Sequence, residues 1–85
     1  MEERVQPAGE KLRELFAKMF GLAIEDVTDA ASIHSVEGWD SLKHINLMLA
    51  IEEEFGVSLS PEEVESMISF GLIKSVLKDH GIEVE

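Results

Sequence analysis

The feature that most constrains the fold is a set of apolar residues with helical spacing near the amino terminus. Its members fall at i, i+3, i+4, i+7 and i+8: Leu12, Leu15, Phe16, Met19 and Phe20. An apolar stripe along one side of a helix has to pack against another element. Pro7 suits the first turn of this helix, and Gly21 suits its end. The spacing therefore predicts an amphipathic helix that faces a core.

A second apolar segment begins after residue 41 and is predicted to be the longest helix. At 3.6 residues per turn, apolar side chains cover more than half of its circumference: Leu42, Ile45, Leu47, Met48, Leu49, Ile51 and Phe55. A helix with this distribution is expected to be central and packed on more than one neighbour. Gly56 suits its end.

Two shorter helices are predicted in the last third of the chain. Ser60 and Glu63 have the spacing of a capping box, and Pro61 falls at the first helical position. This helix is about two turns long, with an apolar face of Val64, Met67 and Ile68. Ser69 suits the cap of a last helix whose inward residues are Phe70, Ile73, Val76 and Leu77. The tail, residues 82–85, is expected to be loosely held.

The long connection between the first two helices carries apolar residues that are expected to pin it to the bundle. These residues are Leu22, Ile24, Val27, Ile33 and Val36. A short helical turn is predicted near Ile24–Val27. The fold class is therefore all-α, a four-helix bundle with three main helices and one short one, and residues 1–85 are expected to form a single domain.

The charge balance limits the partners that the chain can have. Seven Lys and Arg against 18 Asp and Glu give a net charge of −11. Such a chain is repelled by nucleic acid and by anionic membranes, and it is attracted to basic protein surfaces. The apolar run Leu47–Ile51 is too short to span a bilayer, and no apolar leader follows Met1. We expect a cytoplasmic monomer with neither nucleic acid nor a membrane as partner.

The turn before the long helix presents a hydroxyl. Asp40 is the better N-cap, because a carboxylate also suits the positive end of the helix dipole. Trp39 would then pack against His44 as a hydrophobic staple. Ser41 has either of two roles here: an ordinary first-turn serine, or a modification site, since unpaired N–H groups beside it favour an anion such as a phosphodiester.

Several stretches of the chain resemble the acyl carrier proteins. They are Gly38-Trp39-Asp40-Ser41-Leu42, Ile45-Asn46-Leu47, residues 50–56, residues 60–63 and Asp26-Val27-Thr28. The resemblance implies that Ser41 receives 4′-phosphopantetheine from coenzyme A through a phosphopantetheinyl transferase. The thiol of that arm, in a chain without cysteine, would carry acyl groups as thioesters to enzymes of fatty-acid, polyketide or related biosynthesis. The chain would then be a carrier and not an enzyme.

The resemblance also suggests roles for residues around Ser41. Asp40 would lie next to the metal and coenzyme A site of the transferase as well as capping the helix. Leu42 would be partly exposed and meet partner enzymes, although a core position is an equal alternative. Three consecutive carboxylates lie near the end of the long helix: Glu52, Glu53 and Glu54. They form either a solvated face or a docking patch for basic enzyme surfaces, and we favour the docking patch slightly.

The chain departs from the usual fatty-acid pattern close to the serine. Fatty-acid carriers usually have acidic residues soon after the serine and about a turn further on. Here those positions hold Lys43, His44 and Asn46. Lys43 and Asn46 would therefore change what a partner enzyme meets, which favours a specialised pathway over the general carrier of fatty-acid synthesis.

Two other functions remain as alternatives. The first is an acidic helical adaptor that binds a basic partner without a prosthetic group. The second is a hydrolase using Ser41, His44 and Asp40, which is disfavoured because the nucleophile elbow G-x-S-x-G is absent. The three histidines show no metal-ligand spacing, so no metal site is predicted.

Overall fold

The computed structural model describes residues 7–84, and these residues form four α-helices joined by loops. The helices are α1 (Ala8–Phe20), α2 (Ser41–Phe55), α3 (Pro61–Ser66) and α4 (Phe70–Asp79), and a 3₁₀ turn spans Ile24–Asp26. Within residues 7–84 there is no β-strand, only an isolated antiparallel bridge between Ser32 and Ser69. The predicted all-α fold with one short helix and a long first connection is confirmed.

The helix α1 forms where the apolar spacing predicts it. Leu12 and Phe16 are fully buried. Gly21 ends the helix with a φ of 66°, in the left-handed region that glycine adopts without strain. Pro7 takes the N-cap position, one residue before the helical position at which the sequence suggested it.

The starts of α3 and α4 also follow the sequence. The Ser60 hydroxyl accepts from the Glu63 N–H at 3.1 Å, and the Glu63 carboxylate accepts from the Ser60 N–H at 2.9 Å. Ser69 caps α4 by accepting from the N–H of Leu72 at 3.1 Å. The prediction that Ile68 lies on the apolar face of α3 is wrong: Ile68 is exposed, because α3 ends at Ser66 and this residue lies in the link to α4.

One hydrophobic core joins the helices and the first connection. Its fully buried residues of largest volume are Leu12, Phe16, Leu47, Ile51, Met67, Phe70, Ile73 and Leu77. The Phe16 ring packs edge-on against Phe70 and Trp39, with centroid distances of 5.2 and 5.3 Å. Such edge-to-face pairs add stabilisation beyond the burial of area alone.

The first connection is held by both side chains and backbone. Val27 and Val36 are buried as predicted, whereas Ile24 is exposed, so its predicted anchoring role is wrong. The 3₁₀ turn gives Ile24 a surface position. Two backbone hydrogen bonds tie the connection to the start of α4: Phe70 N–H donates to the Ala31 carbonyl and Ile33 N–H donates to the Ile68 carbonyl.

The prediction of a loosely held tail is wrong for residues 82–84. Val84 is only 3% exposed and belongs to the core. Gly81, with a φ of 86°, turns the chain after α4, and the Ile82 N–H donates to the Leu77 carbonyl at 2.9 Å. This Schellman-type turn directs the last apolar residues back to the bundle. Glu85 lies outside the described residues.

Among residues 7–84, none of the helices combines the length and the apolar character that a bilayer-crossing segment needs.

Candidate functional site at the start of α2

The first residue of α2 is fixed by the turn before it, through a glycine conformation and a side-chain cap. Gly38 has a φ of 89°, a conformation that other residues rarely adopt. Asp40 is extended, and its carboxylate accepts from the Lys43 N–H at 2.9 Å. The carbonyl of Asp40 accepts from the His44 N–H at 2.8 Å. Asp40 is therefore the N-cap, as predicted.

Ser41 is the first helical residue and is exposed. Within residues 7–84, its hydroxyl has no hydrogen-bond partner. The first N–H groups of a helix have no intrahelical acceptor and point towards this end. Together with the dipole they favour a negatively charged group. The residues at this end of α2 thus fit a phosphodiester on an exposed primary hydroxyl.

The His44 ring is bonded on both sides. Its Nδ1 lies 3.0 Å from the indole nitrogen of Trp39, and its Nε2 lies 2.7 Å from the carbonyl oxygen of Val64. An indole N–H can only donate and a carbonyl can only accept. In this arrangement Nδ1 accepts from Trp39 and Nε2 donates to the Val64 carbonyl. Trp39 also stacks on the imidazole at a centroid distance of 5.9 Å, which confirms the predicted contact.

These bonds bear on the hydrolase alternative. A general base for Ser41 needs an imidazole nitrogen that is free to accept the hydroxyl proton. Nδ1 of His44 already accepts from Trp39, and Nε2 is already bonded to the Val64 carbonyl. Asp40 accepts from the helix backbone, so it does not orient the ring. The three residues are adjacent but do not form a catalytic triad.

The outward side of α2 carries apolar side chains that are exposed. Leu42, Ile45 and Leu49 are 70%, 50% and 57% exposed. They fall at i, i+3 and i+7, so they form one stripe along the surface, which we call the α2 stripe. The buried residues of α2 are Leu47, Met48 and Ile51. Of the two alternatives for Leu42, the structure shows the exposed one, and Ile45 and Leu49 are exposed with it.

The charged and polar residues proposed to meet partner enzymes differ in their exposure and hydrogen bonding. Lys43, Asn46 and Glu53 are exposed. Glu52 is half-buried, and its carboxylate accepts from the Leu59 N–H at 2.8 Å. Glu52 therefore holds the chain that follows α2, which is a structural role that sequence reasoning missed because its partner is in a loop.

The comparisons with known proteins agree with this geometry. Residues 10–71 match the family model described as the phosphopantetheine attachment site. The chain is 31% identical over 71 residues to an acyl carrier protein of Clostridium acetobutylicum, a match that covers 84% of this chain and 92% of the relative. It is 33% identical over 63 residues to an acyl carrier protein of Rhodopseudomonas palustris, covering 74% and 80%.

A fold of four helices and a matched span that includes the start of α2 define a carrier domain for a phosphopantetheine group. The chain belongs to the phosphopantetheine attachment-site family and resembles its acyl carrier proteins. The cofactor of this family is phosphopantetheine, whose thiol holds acyl groups as thioesters. Partner enzymes, including one that attaches the arm, follow from membership of this family.

Proposed function

We propose that this protein carries acyl groups on a 4′-phosphopantetheine arm attached to the hydroxyl of Ser41. The observation that supports the assignment most directly is the exposed and unbonded hydroxyl at the first position of α2. The neighbouring Asp40 already caps the helix through Lys43 N–H, so the serine is not needed for that purpose. A phosphodiester on this oxygen meets unpaired N–H groups and the positive end of the dipole.

The chain itself catalyses no step in this proposal. During attachment, the Ser41 oxygen forms a new bond to phosphorus of coenzyme A, the bond to the adenosine bisphosphate breaks, and a base of the transferase takes the proton. His44 is not that base, because both of its ring nitrogens are already bonded within the chain. The carboxylate of Asp40 points to the same helix start and is a candidate contact for the metal in the transferase.

Partner enzymes would meet the outward side of α2. The α2 stripe begins beside Ser41 and is apolar, and Lys43, Asn46 and Glu53 are exposed around it. An apolar strip with polar groups at its edge is typical of a protein-binding surface. Lys43 and Asn46 make this surface less acidic, which supports a specialised pathway. Basic enzyme surfaces would meet the carboxylates at the other end of α2, Glu53 foremost.

Mass spectrometry tests the attachment. The full chain is incubated with coenzyme A and a promiscuous phosphopantetheinyl transferase. We expect a mass gain of one phosphopantetheine, which is lost in Ser41→Ala and kept in Ser58→Ala, a control at an exposed serine. An unchanged wild-type mass beside an actively modified control carrier would leave the adaptor function as the better explanation.

A second experiment tests the pathway. We expect enzymes of fatty-acid synthesis to load the wild-type protein poorly and to load a Lys43→Glu, Asn46→Glu double variant better, because the substitutions restore negative charge beside Ser41. Efficient loading of the wild type, with no gain in the double variant, would remove the reason for proposing a specialised pathway.

A further inference from the structure

Three parts of the chain are joined by hydrogen bonds one turn away from Ser41. The indole of Trp39, the ring of His44 and the carbonyl of Val64 form a continuous connection, which we call the His44 bridge. His44 lies three residues after Ser41, so both fall on neighbouring parts of the same side of α2. The bridge therefore spans the space between α2 and α3 just beyond the proposed attachment site.

The interior behind the His44 bridge is filled by aromatic rings. Trp39 is only 4% exposed, and its ring lies 5.3 Å from Phe16 and 5.4 Å from Phe20 between centroids. Phe16 continues the cluster to Phe70 at 5.2 Å. Protein interiors packed in this way yield little to an inserted group without moving side chains.

An acyl chain that entered from Ser41 would have to separate these groups. Moving the His44 ring leaves the N–H of the buried Trp39 without its partner, and an unpaired buried donor is unfavourable. It also takes the ring from the Val64 carbonyl, which keeps only the Met67 N–H at 3.3 Å. Moving Trp39 also breaks the ring contacts that it makes with Phe16 and Phe20. Entry of any acyl group would also require side chains of the packed aromatic cluster to move, which is a further cost in free energy.

We propose that the His44 bridge closes the interior to the carried group, so that the cargo class of this carrier is short or polar acyl groups held outside the bundle. The inference rests on the proposed function, in which Ser41 bears the arm. His44 is a positioning residue in this account: it acts by holding Trp39 and α3 in place and does not touch the thioester.

The test compares acetyl and octanoyl groups on the full-length holo protein. The rate at which hydroxylamine cleaves the thioester reports how far the group is shielded from solvent. We expect the octanoyl group on the wild type to be cleaved within about twofold of the rate for free octanoyl-pantetheine, as a group outside the protected interior should be. The fluorescence of Trp39, the single tryptophan, should be the same with either group.

A variant tests the role of His44 itself. In His44→Ala the bridge is removed, and we expect the octanoyl group to gain protection of about fivefold or more over the wild type with a change in Trp39 fluorescence. His34→Ala, at an exposed histidine, is the control and should behave as the wild type. If His44→Ala does not fold, as judged by circular dichroism, Trp39→Phe replaces it and is read by the cleavage rate alone, since it removes the indole N–H together with the fluorophore and keeps a smaller aromatic ring.

The outcomes separate the two proposals. A wild-type octanoyl group cleaved about tenfold more slowly than the free compound, or one that shifts Trp39 fluorescence, overturns the cargo inference and leaves the attachment proposal intact. A folded His44→Ala or Trp39→Phe variant with unchanged protection overturns the role of the bridge. Failure of Ser41 to accept the arm contradicts the proposed function instead, and it is detected by mass before any cleavage is measured.

Discussion

Asp40 is expected to stabilise the start of α2 and also to serve the transferase, and two substitutions can separate these roles. Asp40→Ala removes the acceptor of the hydrogen bond from Lys43 N–H, which is 2.9 Å long. Loss of such a cap lowers the free energy of unfolding by about 1 kcal/mol, within a range of roughly 0.5 to 2. For a domain of this size that corresponds to a fall in Tm of about 4–8 °C.

Asp40→Asn keeps an acceptor of the same shape, because Asn and Asp cap helices about equally well. It removes only the carboxylate charge, whose interaction with the helix dipole contributes roughly 0.3–1 kcal/mol at low salt. We therefore expect Asn to be more stable than Ala at this position by roughly 0.5 kcal/mol, the difference between the two losses. Glu37→Gln, which removes an exposed carboxylate three residues away, controls for the change in net charge.

The assay combines thermal unfolding, followed by circular dichroism, with the rate of phosphopantetheine addition. We expect Asp40→Asn to fold nearly as well as the wild type but to be modified more slowly, since it lacks the charge that a transferase metal would use. Equal losses of stability in Asp40→Asn and Asp40→Ala would refute the capping argument. A wild-type rate of modification in Asp40→Asn would refute the role in the transferase site.

Three further predictions follow from contacts elsewhere in the chain. Val84→Ala should lower the free energy of unfolding, measured by urea denaturation, by about 2 kcal/mol, because it removes two buried methyl groups from a side chain that is 3% exposed. The control Glu83→Ala, at an exposed neighbour, should have little effect. A larger loss in Glu83→Ala than in Val84→Ala would contradict the packing of the tail. The Ser60 N–H and His80 lower the pKa of the Glu63 carboxyl from its ordinary value of 4.5, so its stabilising contribution is present above that value and is lost as the pH falls through the lower folded-state pKa. Glu63→Gln should therefore flatten the acid limb of Tm against pH, and an unchanged limb would show that this carboxyl does not contribute. Leu42→Ala should leave Tm nearly unchanged, since the side chain is 70% exposed. It should slow acyl transfer by partner enzymes. A large fall in Tm would show instead that Leu42 is packed in the core.

The starts of α2, α3 and α4 could be predicted because each depends on atoms only a few residues apart. Asp40, Ser60 and Ser69 each accept from a backbone N–H three residues later. The same holds for the packing of Trp39 against His44, which are five residues apart. Local interactions of this kind are visible in the order of the residues, and the structure confirms them.

The errors arise where a side chain depends on distant parts of the chain. Ile45 and Leu49 were among the apolar residues from which α2 was expected to be central, because helical spacing does not show which of them have neighbours. The other elements cover one side of α2 and leave these two exposed. Val84 shows the reverse error: a residue near the end was expected to be loose, and a turn at Gly81 carries it back to the bundle.

The second bond of His44 could not be predicted from the sequence either. Its acceptor is the Val64 carbonyl, twenty residues further along, and only the packing of α3 against α2 brings the two together. The packing of Trp39 against His44 was therefore predictable, whereas the hydrogen bonds of the His44 bridge were seen only in the structure.

By itself, the order of residues determined four helix-forming segments, the cap at Asp40 and a serine left over beside it, since these depend on spacing and on chemistry within one turn. The tertiary structure decided which side of α2 faces solvent, where the tail packs and what His44 joins. These depend on how the apolar surfaces of separate helices cover one another, because burial is shared among elements that are remote in the chain.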